Sequence, residues 1–166
     1  MQPTLLQGAR GILFSLLAIM TVPVRGELTR FEIKKREPFA AGKTFGPVGA
    51  YERIIGRVYY ELDPQLPQNR NVIDLKLAPR NQRGRVELSA DLLILAPVDL
   101  RRGNGALLYG VNNRGNLNAL RHFNFASGSN DPKEEKHAGD GFLMNRGFTV
   151  VWSGWDGELI PGNHRL

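Results

Sequence analysis

Apolar and polar residues alternate along much of the first hundred positions. From Leu28 to Arg36, Phe31 and Ile33 fall on one side, and Arg30, Glu32 and Lys34 fall on the other. This period of two predicts a short strand. From Arg53 to Leu62 the pattern is longer. Ile54, Gly56, Val58, Tyr60 and Leu62 share one face, while Arg53, Arg57 and Glu61 share the other with Ile55 and Tyr59. Val72 to Ala78 repeats the alternation with Ile73, Leu75 and Leu77 inward. Arg85 to Ala96 is the longest such run, with Val86, Leu88, Ala90, Leu92 and Ile94 on one face. Its other face changes from polar to apolar at Leu93 and Leu95, so one end is expected to be covered on both sides. Asp63-Pro64, Pro67 and Asn81-Gln82-Arg83-Gly84 punctuate these runs. Short breaks allow only antiparallel pairing, so the last three runs predict a meander.

The pattern changes after Gly105. Ala106 to Val111 is continuously apolar, as expected for a strand buried on both faces. An Asn/Gly loop follows at Asn112-Asn113-Arg114-Gly115, then a helix over Leu117 to Phe125 and a loop over Ala126 to Lys136. Gly141 to Arg146 reads as a helix end, with Gly147 placed for a left-handed cap. A second buried strand, Phe148 to Ser153, runs into Trp155-Asp156-Gly157. Strand, loop, helix and strand in this order predict an α/β fold with a parallel pair. Sites in such folds lie at the carboxyl ends of the strands.

Met1 to Gly26 has the three parts of an export signal: a short segment ending at Arg10, an apolar run from Gly11 to Val22, and Pro23-Val24-Arg25-Gly26. The apolar run would span about 18 Å as a helix, short of a ~30 Å bilayer core. The expectation is export to the periplasm or medium with cleavage near Gly26, residues 27–166 forming the mature chain, and no stable membrane anchor.

Composition adds exclusions. Net charge is +6 over 166 residues, and Arg10 and Arg25 of the leader account for two of these charges. The remaining basic residues are scattered among strands and turns without interleaved aromatics, which argues against a nucleic-acid partner. Zero cysteines exclude disulfides and thiolate catalysis. Gly42-Lys43-Thr44 superficially resembles a phosphate loop, but Glu37 stands where a Walker motif needs glycine. His122, His137 and His164 lack the spacing of a zinc site, and no metal or other cofactor is expected.

Several runs resemble one family. They are Arg36–Phe39 (REPF), Phe45–Tyr59 (FGPVGAYERIIGRVY), Glu61–Pro64 (ELDP), Leu77–Glu87 (LAPRNQRGRVE), Asn104–Asn116 (NGALLYGVNNRGN) and Gly139–Glu158 (GDGFLMNRGFTVVWSGWDGE). Together they resemble the N-terminal part of bacterial α/β-hydrolase-domain proteins. The resemblance implies the first, incomplete part of an α/β-hydrolase sheet: an antiparallel meander followed by the strand–loop–helix–strand unit. It implies an exported serine hydrolase that cleaves an ester or amide through an acyl-enzyme. The nucleophile of that family lies downstream of Leu166, and no G-x-S-x-G occurs here.

By the same resemblance, the loop after the first buried strand would supply an oxyanion-hole donor, with Asn112 or Asn113 as candidates. Arg114 could hold a substrate carboxylate. The plainer alternative is a left-handed Asn/Gly turn with Arg114 paired to an acid such as Asp156. Trp155 and Asp156 are expected to be structural strand-end residues, and Ser153, in Ser-Gly-Trp, is not a nucleophile elbow. The chain is thus expected to carry no catalytic residue and to be inactive by itself. Alternatives from other classes are an exported, β-rich binding module without enzymatic activity and a truncated product without function.

Overall fold

The computed structural model describes residues 26–160 and 162–166; the expected export signal lies outside them except for Gly26. Six strands form one mixed sheet. They are β1 (Gly26–Pro38), β2 (Thr44–Phe45), β3 (Gly49–Leu62), β4 (Val86–Pro97), β5 (Leu107–Tyr109) and β6 (Thr149–Ser153). The order is β1-β3-β4-β6-β5, with β2 folded onto the start of β3. β1, β3, β4 and β6 pair antiparallel in that order, and β5 runs parallel to β6.

This architecture corrects the α/β expectation. The two α-helices among the described residues, α1 (Ala119–Phe123) and α2 (Phe142–Asn145), hold five and four residues. Such short helices cannot layer a sheet as an α/β-hydrolase does, and the fold is mostly β. The strand–loop–helix–strand order does occur, but it forms one parallel pair at the margin of an otherwise antiparallel sheet.

The middle strand of the predicted meander is also absent. Leu75–Leu77 is a single 3-10 turn entered through Asp74 in the left-handed region (φ 58°). Ile73 and Leu77 are 87% and 81% exposed, and only Leu75 is buried. The reason lies in the register. β3 and β4 pair continuously from Tyr51↔Pro97 to Leu62↔Val86. The other edge of β3 is taken by β1, and that of β4 by β6 along Leu92–Leu95. No edge is left along β3 for the 72–78 segment, which becomes part of a long excursion between the two strands.

β5 departs from expectation as well. It pairs only with β6 and sits at the sheet margin, so Leu107 and Tyr109 are exposed rather than covered on both faces. At the opposite margin, β1 carries register shifts at Leu28/Arg30 and Ile33/Lys35. Irregularities and charges of this kind blunt an edge against further pairing.

The main core lies against one face. Tyr51 and Ile55 of β3, Leu93 and Leu95 of β4, and Val150 and Trp152 of β6 point into it. Phe39, Phe45, Leu117, Leu120, Leu143 and Met144 cover them. Phe39 stacks on Phe45, and Phe45 meets Tyr51 edge to face at 5.5 Å. The Tyr51 hydroxyl donates towards the carbonyls of Met144 (3.2 Å) and Phe148 (3.1 Å), joining β3 to α2 and to the residue just before β6. Burial pushes its phenol up to about 12. Gly147, at φ 77°, closes α2 by donating to the Met144 carbonyl, in the left-handed cap expected there. The opposite face holds only a small cluster around Val58, Leu92 and Val151.

Candidate functional site

β5 and β6 run in the same direction and end side by side. The Gly110 amide extends their pairing by donating to the Val151 carbonyl at 2.8 Å. Gly110 lies against the Trp152 indole, and a Cβ there would sit 2.3 Å from Nε1. Glycine is therefore required for the two strand ends to approach. Beyond it the chain reaches Asn112, 2% exposed.

Asn112 is a junction. Its Nδ2 donates to the carbonyls of Ser153 (3.0 Å) and Leu166 (3.3 Å), and its own carbonyl accepts from Trp155 Nε1 at 3.0 Å. One side chain thus ties the end of β5 to the end of β6 and to the last residues of the chain. Trp155 closes the same junction from the other strand. Asn112 Oδ1 and Trp152 Nε1 are buried and without a partner among the described residues.

The next four residues form a tight turn. Asn113 and Asn116 exchange backbone hydrogen bonds, 3.3 Å for the Asn113 amide and 3.0 Å for the Asn116 amide. Asn116 Nδ2 adds a third bond to the Asn113 carbonyl. Arg114 (φ 48°) and Gly115 (φ 76°) both occupy the left-handed region, the requirement of a two-residue reverse turn. Gly115 packs beneath Leu159 and Arg165, where a Cβ would meet atoms at 2.6 Å. Arg114 projects outward, and no ion pair joins it to Asp156 or to any other acid among the described residues. Asp156 instead accepts the Glu158 amide at 3.0 Å, a local turn bond.

Of the candidate oxyanion donors, the Asn113 backbone amide is engaged internally, and the Asn112 backbone amide makes no hydrogen bond to the described residues. The Asn112 amide side chain is committed to two carbonyls, and the Asn113 amide to the turn. The Arg114 and Gly115 backbone amides make no such bond to the described residues. Ser153 Oγ reaches only the Gly154 carbonyl, at 3.4 Å. Of the histidines, His137 is buried, and its Nδ1 accepts the amides of Lys133 and Glu134, both at 3.0 Å. Burial, the largest influence, holds His137 below its ordinary value. His122 and His164 are exposed. Among the described residues no group of acids and histidines could hold a metal ion.

The sequence pattern did not reveal a second cluster. Arg53, on the covered face of β3, is 3% exposed. Its two Nη groups pair with Glu37 of β1 and Asp131 of the 126–136 loop. Lys35 and Lys133 flank these acids. The hydrogen bond from Lys35, then the charges of Arg53 and Lys35, hold Glu37 below the usual carboxylate range. Burial pushes Asp131 up, but the Lys133 hydrogen bond and the charges of Arg53 and Lys133 outweigh it and leave it lowered. One sequence signal was present: Arg53 stands between Tyr51 and Ile55 in its row, so an arginine is flanked there by two large side chains. Its acids lie 16 and 78 positions away, beyond any local pattern.

No family model, no curated protein and no solved structure matches the chain.

Proposed function

We propose that this chain is the non-catalytic sheet portion of an exported serine hydrolase acting on ester or amide substrates, and that it is inert by itself. The observation that carries the second half is the absence, among the described residues, of any serine–histidine hydrogen bond. Ser89 Oγ accepts from Arg57, Ser129 Oγ from the Asp131 amide, and Ser153 Oγ donates to its neighbour's carbonyl. A serine without a base in reach is a weak nucleophile.

The hydrolase half rests on the residue runs named above. The parallel pair β5/β6 supports it, with strand ends that meet at Asn112 and Trp155 beside a turn with unused amides. In this reading the Arg114 and Gly115 amides face a developing oxyanion, Arg114 holds a substrate carboxylate, and the nucleophile and base come from outside the chain. Acyl transfer by this route calls for no cofactor.

The test is hydrolysis of p-nitrophenyl acetate and butyrate by the purified protein. The expected rate equals that of buffer, and Ser153→Ala leaves it unchanged. Turnover abolished by Ser153→Ala would overturn the reading. A second reading, a β-rich exported binding module, is favoured by the continuous antiparallel pairing of β1, β3 and β4. A hydrolase portion should bind a hydrophobic dye through the open sheet face and self-associate with rising concentration. A module should stay monomeric and dark.

A further inference from the structure

β4 is longer than the strand beside it. It runs from Val86 to Pro97, but β6 pairs with it only along Leu92–Leu95. A cavity of about 610 Å³ opens against the stretch that β6 leaves uncovered. Leu88, Ser89 and Ala90 of β4 line it, and so do Trp155 and Ile160 from the segment after β6. We propose that this cavity binds a short peptide in extended form, which adds as a strand to the unpaired edge of β4. The inference does not depend on the hydrolase reading.

The backbone of β4 carries the argument. Successive residues of an antiparallel strand turn their N–H and C=O groups to opposite edges. Two bonds fix which residues face which way. The Val98 amide donates to the Ala50 carbonyl at the start of β3, and the Gly154 amide donates to the Asp91 carbonyl from just past β6. Leu88, Ala90 and Leu92 therefore turn their backbone groups towards β3, whereas Glu87, Ser89 and Asp91 turn theirs away. On this second edge the Arg85 carbonyl accepts the Asn81 amide, and the Arg85 amide donates to Asn81 Oδ1. Asn81 thus closes the edge at Arg85, and Gly154 closes it at Asp91. Between them, the amides and carbonyls of Glu87 and Ser89 have no partner among the described residues.

This window is regular. β3 and β4 pair without a register shift, whereas the outer margin of the sheet at β1 is broken by two. A regular, unblunted edge accepts another strand through its main chain. A peptide lying antiparallel on it exchanges two bonds with Ser89 and two with Glu87, so a stretch of about three residues fills the window. Side chains directly opposite each other share a face. The middle residue of the peptide therefore lies beside Leu88, which is 46% exposed on the open face, and calls for an apolar side chain. The flanking residues lie beside Ser89 and Glu87 and call for polar ones. The cavity falls within the roughly 300–1,000 Å³ of ordinary ligand sites.

The test is proton–nitrogen correlation NMR of the whole protein at low concentration, titrated with acetyl-Thr-Val-Thr-amide. The control is the same peptide N-methylated at both threonines, which keeps every side chain and removes the two donors. The Glu87 and Ser89 amides should shift saturably and exchange more slowly with solvent. The N-methylated peptide should bind at least about tenfold more weakly, because two hydrogen bonds are lost. Ser89→Ala keeps the backbone groups and should bind within about twofold of the wild type. Ser89→Pro removes the outward amide and no bond to β3; once circular dichroism shows it folded, it should weaken binding at least about fivefold. Leu88→Ser, which leaves the backbone free to fold, should weaken it about threefold. The proposal is overturned if the shifts do not saturate or centre away from Glu87–Asp91, or if the N-methylated peptide binds equally well. It is also overturned if Ser89→Ala abolishes binding, or if folded Ser89→Pro and Leu88→Ser both bind as the wild type does. Slow exchange of the Glu87 and Ser89 amides in the free protein would overturn it too, since another stretch of chain would then hold that edge.

Discussion

The two faces of the sheet behave as different materials. On one face, Phe39, Phe45, Leu117, Leu120, Leu143 and Met144 close over Leu93, Leu95, Val150 and Trp152. On the other, a small cluster around Val58, Leu92 and Val151 is ringed by exposed Leu28, Phe31, Ile33, Leu88, Leu107 and Tyr109. Both faces are apolar in sequence, yet only one is packed. Burial rather than composition stabilises, at roughly 25 cal/mol per Å² of apolar surface withdrawn from water. The covered face therefore holds the fold, and the open face adds little to it.

Breaking the covered face should have the largest effect. Trp152→Ala removes a side chain 1% exposed that fills the space between Gly110 and the core. It should cost about 3–5 kcal/mol, seen as a lower urea midpoint. Next comes Arg53→Met, which leaves Glu37 and Asp131 facing each other without their shared cation. The expected loss is about 3 kcal/mol, the low end for a broken buried pair because both acids keep some exposure.

The same cluster sets an acid limit. Glu37 and Asp131 have carboxyls held below their unfolded values. Their contribution is therefore present above the ordinary carboxylate range and is lost as pH falls through the lowered values. Wild-type stability should decline below about pH 4, and Arg53→Met should show a shallower decline.

Tyr51→Phe should have a smaller effect, about 1–3 kcal/mol, because two carbonyls lose a hydroxyl donor while the ring still packs. It also sharpens the comparison at alkaline pH. A phenol raised to about 12 stabilises fully below its ordinary value of 10 and loses that contribution as pH rises through about 12. The variant should lack this alkaline step in thermal melts.

The contrast between faces also explains what could be read in the sequence. Period-two alternation located β1, β3 and β4 but not the packed side: the more apolar rows through Val58 and Leu92 line the open face, and the core takes Tyr51, Ile55, Leu93 and Leu95 from the other rows. The same rule failed at Val72–Ala78, where Ile73, Leu75 and Leu77 alternate without a free strand edge to join. Alternation reports which residues could share a face; it does not report whether hydrogen-bonding edges remain. The continuous apolar run at Ala106–Val111 misled for a related reason. It is compatible with a central strand, but β5 forms only three residues at the margin.

The α/β expectation failed because helix-compatible stretches at Leu117 and Gly141 condensed into single turns. The site was partly legible. The sequence singles out Asn112 and Asn113 as oxyanion donors, Arg114 as a substrate contact, and Trp155 and Asp156 as strand-end residues; the chain brings Asn112 and Trp155 into contact. That Asn112 would be consumed by carbonyls from distant residues, and that Arg53 would be buried between remote acids, depends on long-range closure that no local pattern encodes.

The most direct test compares one substitution on each side of the boundary between packed and open surface. Leu95 is fully buried in the covered core, and Leu107 is 61% exposed at the margin of the sheet. Equilibrium urea unfolding of Leu95→Ala and Leu107→Ala, at dilute protein, removes the same atoms from each. The expected losses are about 3 kcal/mol or more for Leu95→Ala and under about 1 kcal/mol for Leu107→Ala. Equal losses, or a larger one for Leu107→Ala, would contradict a sheet held from one face.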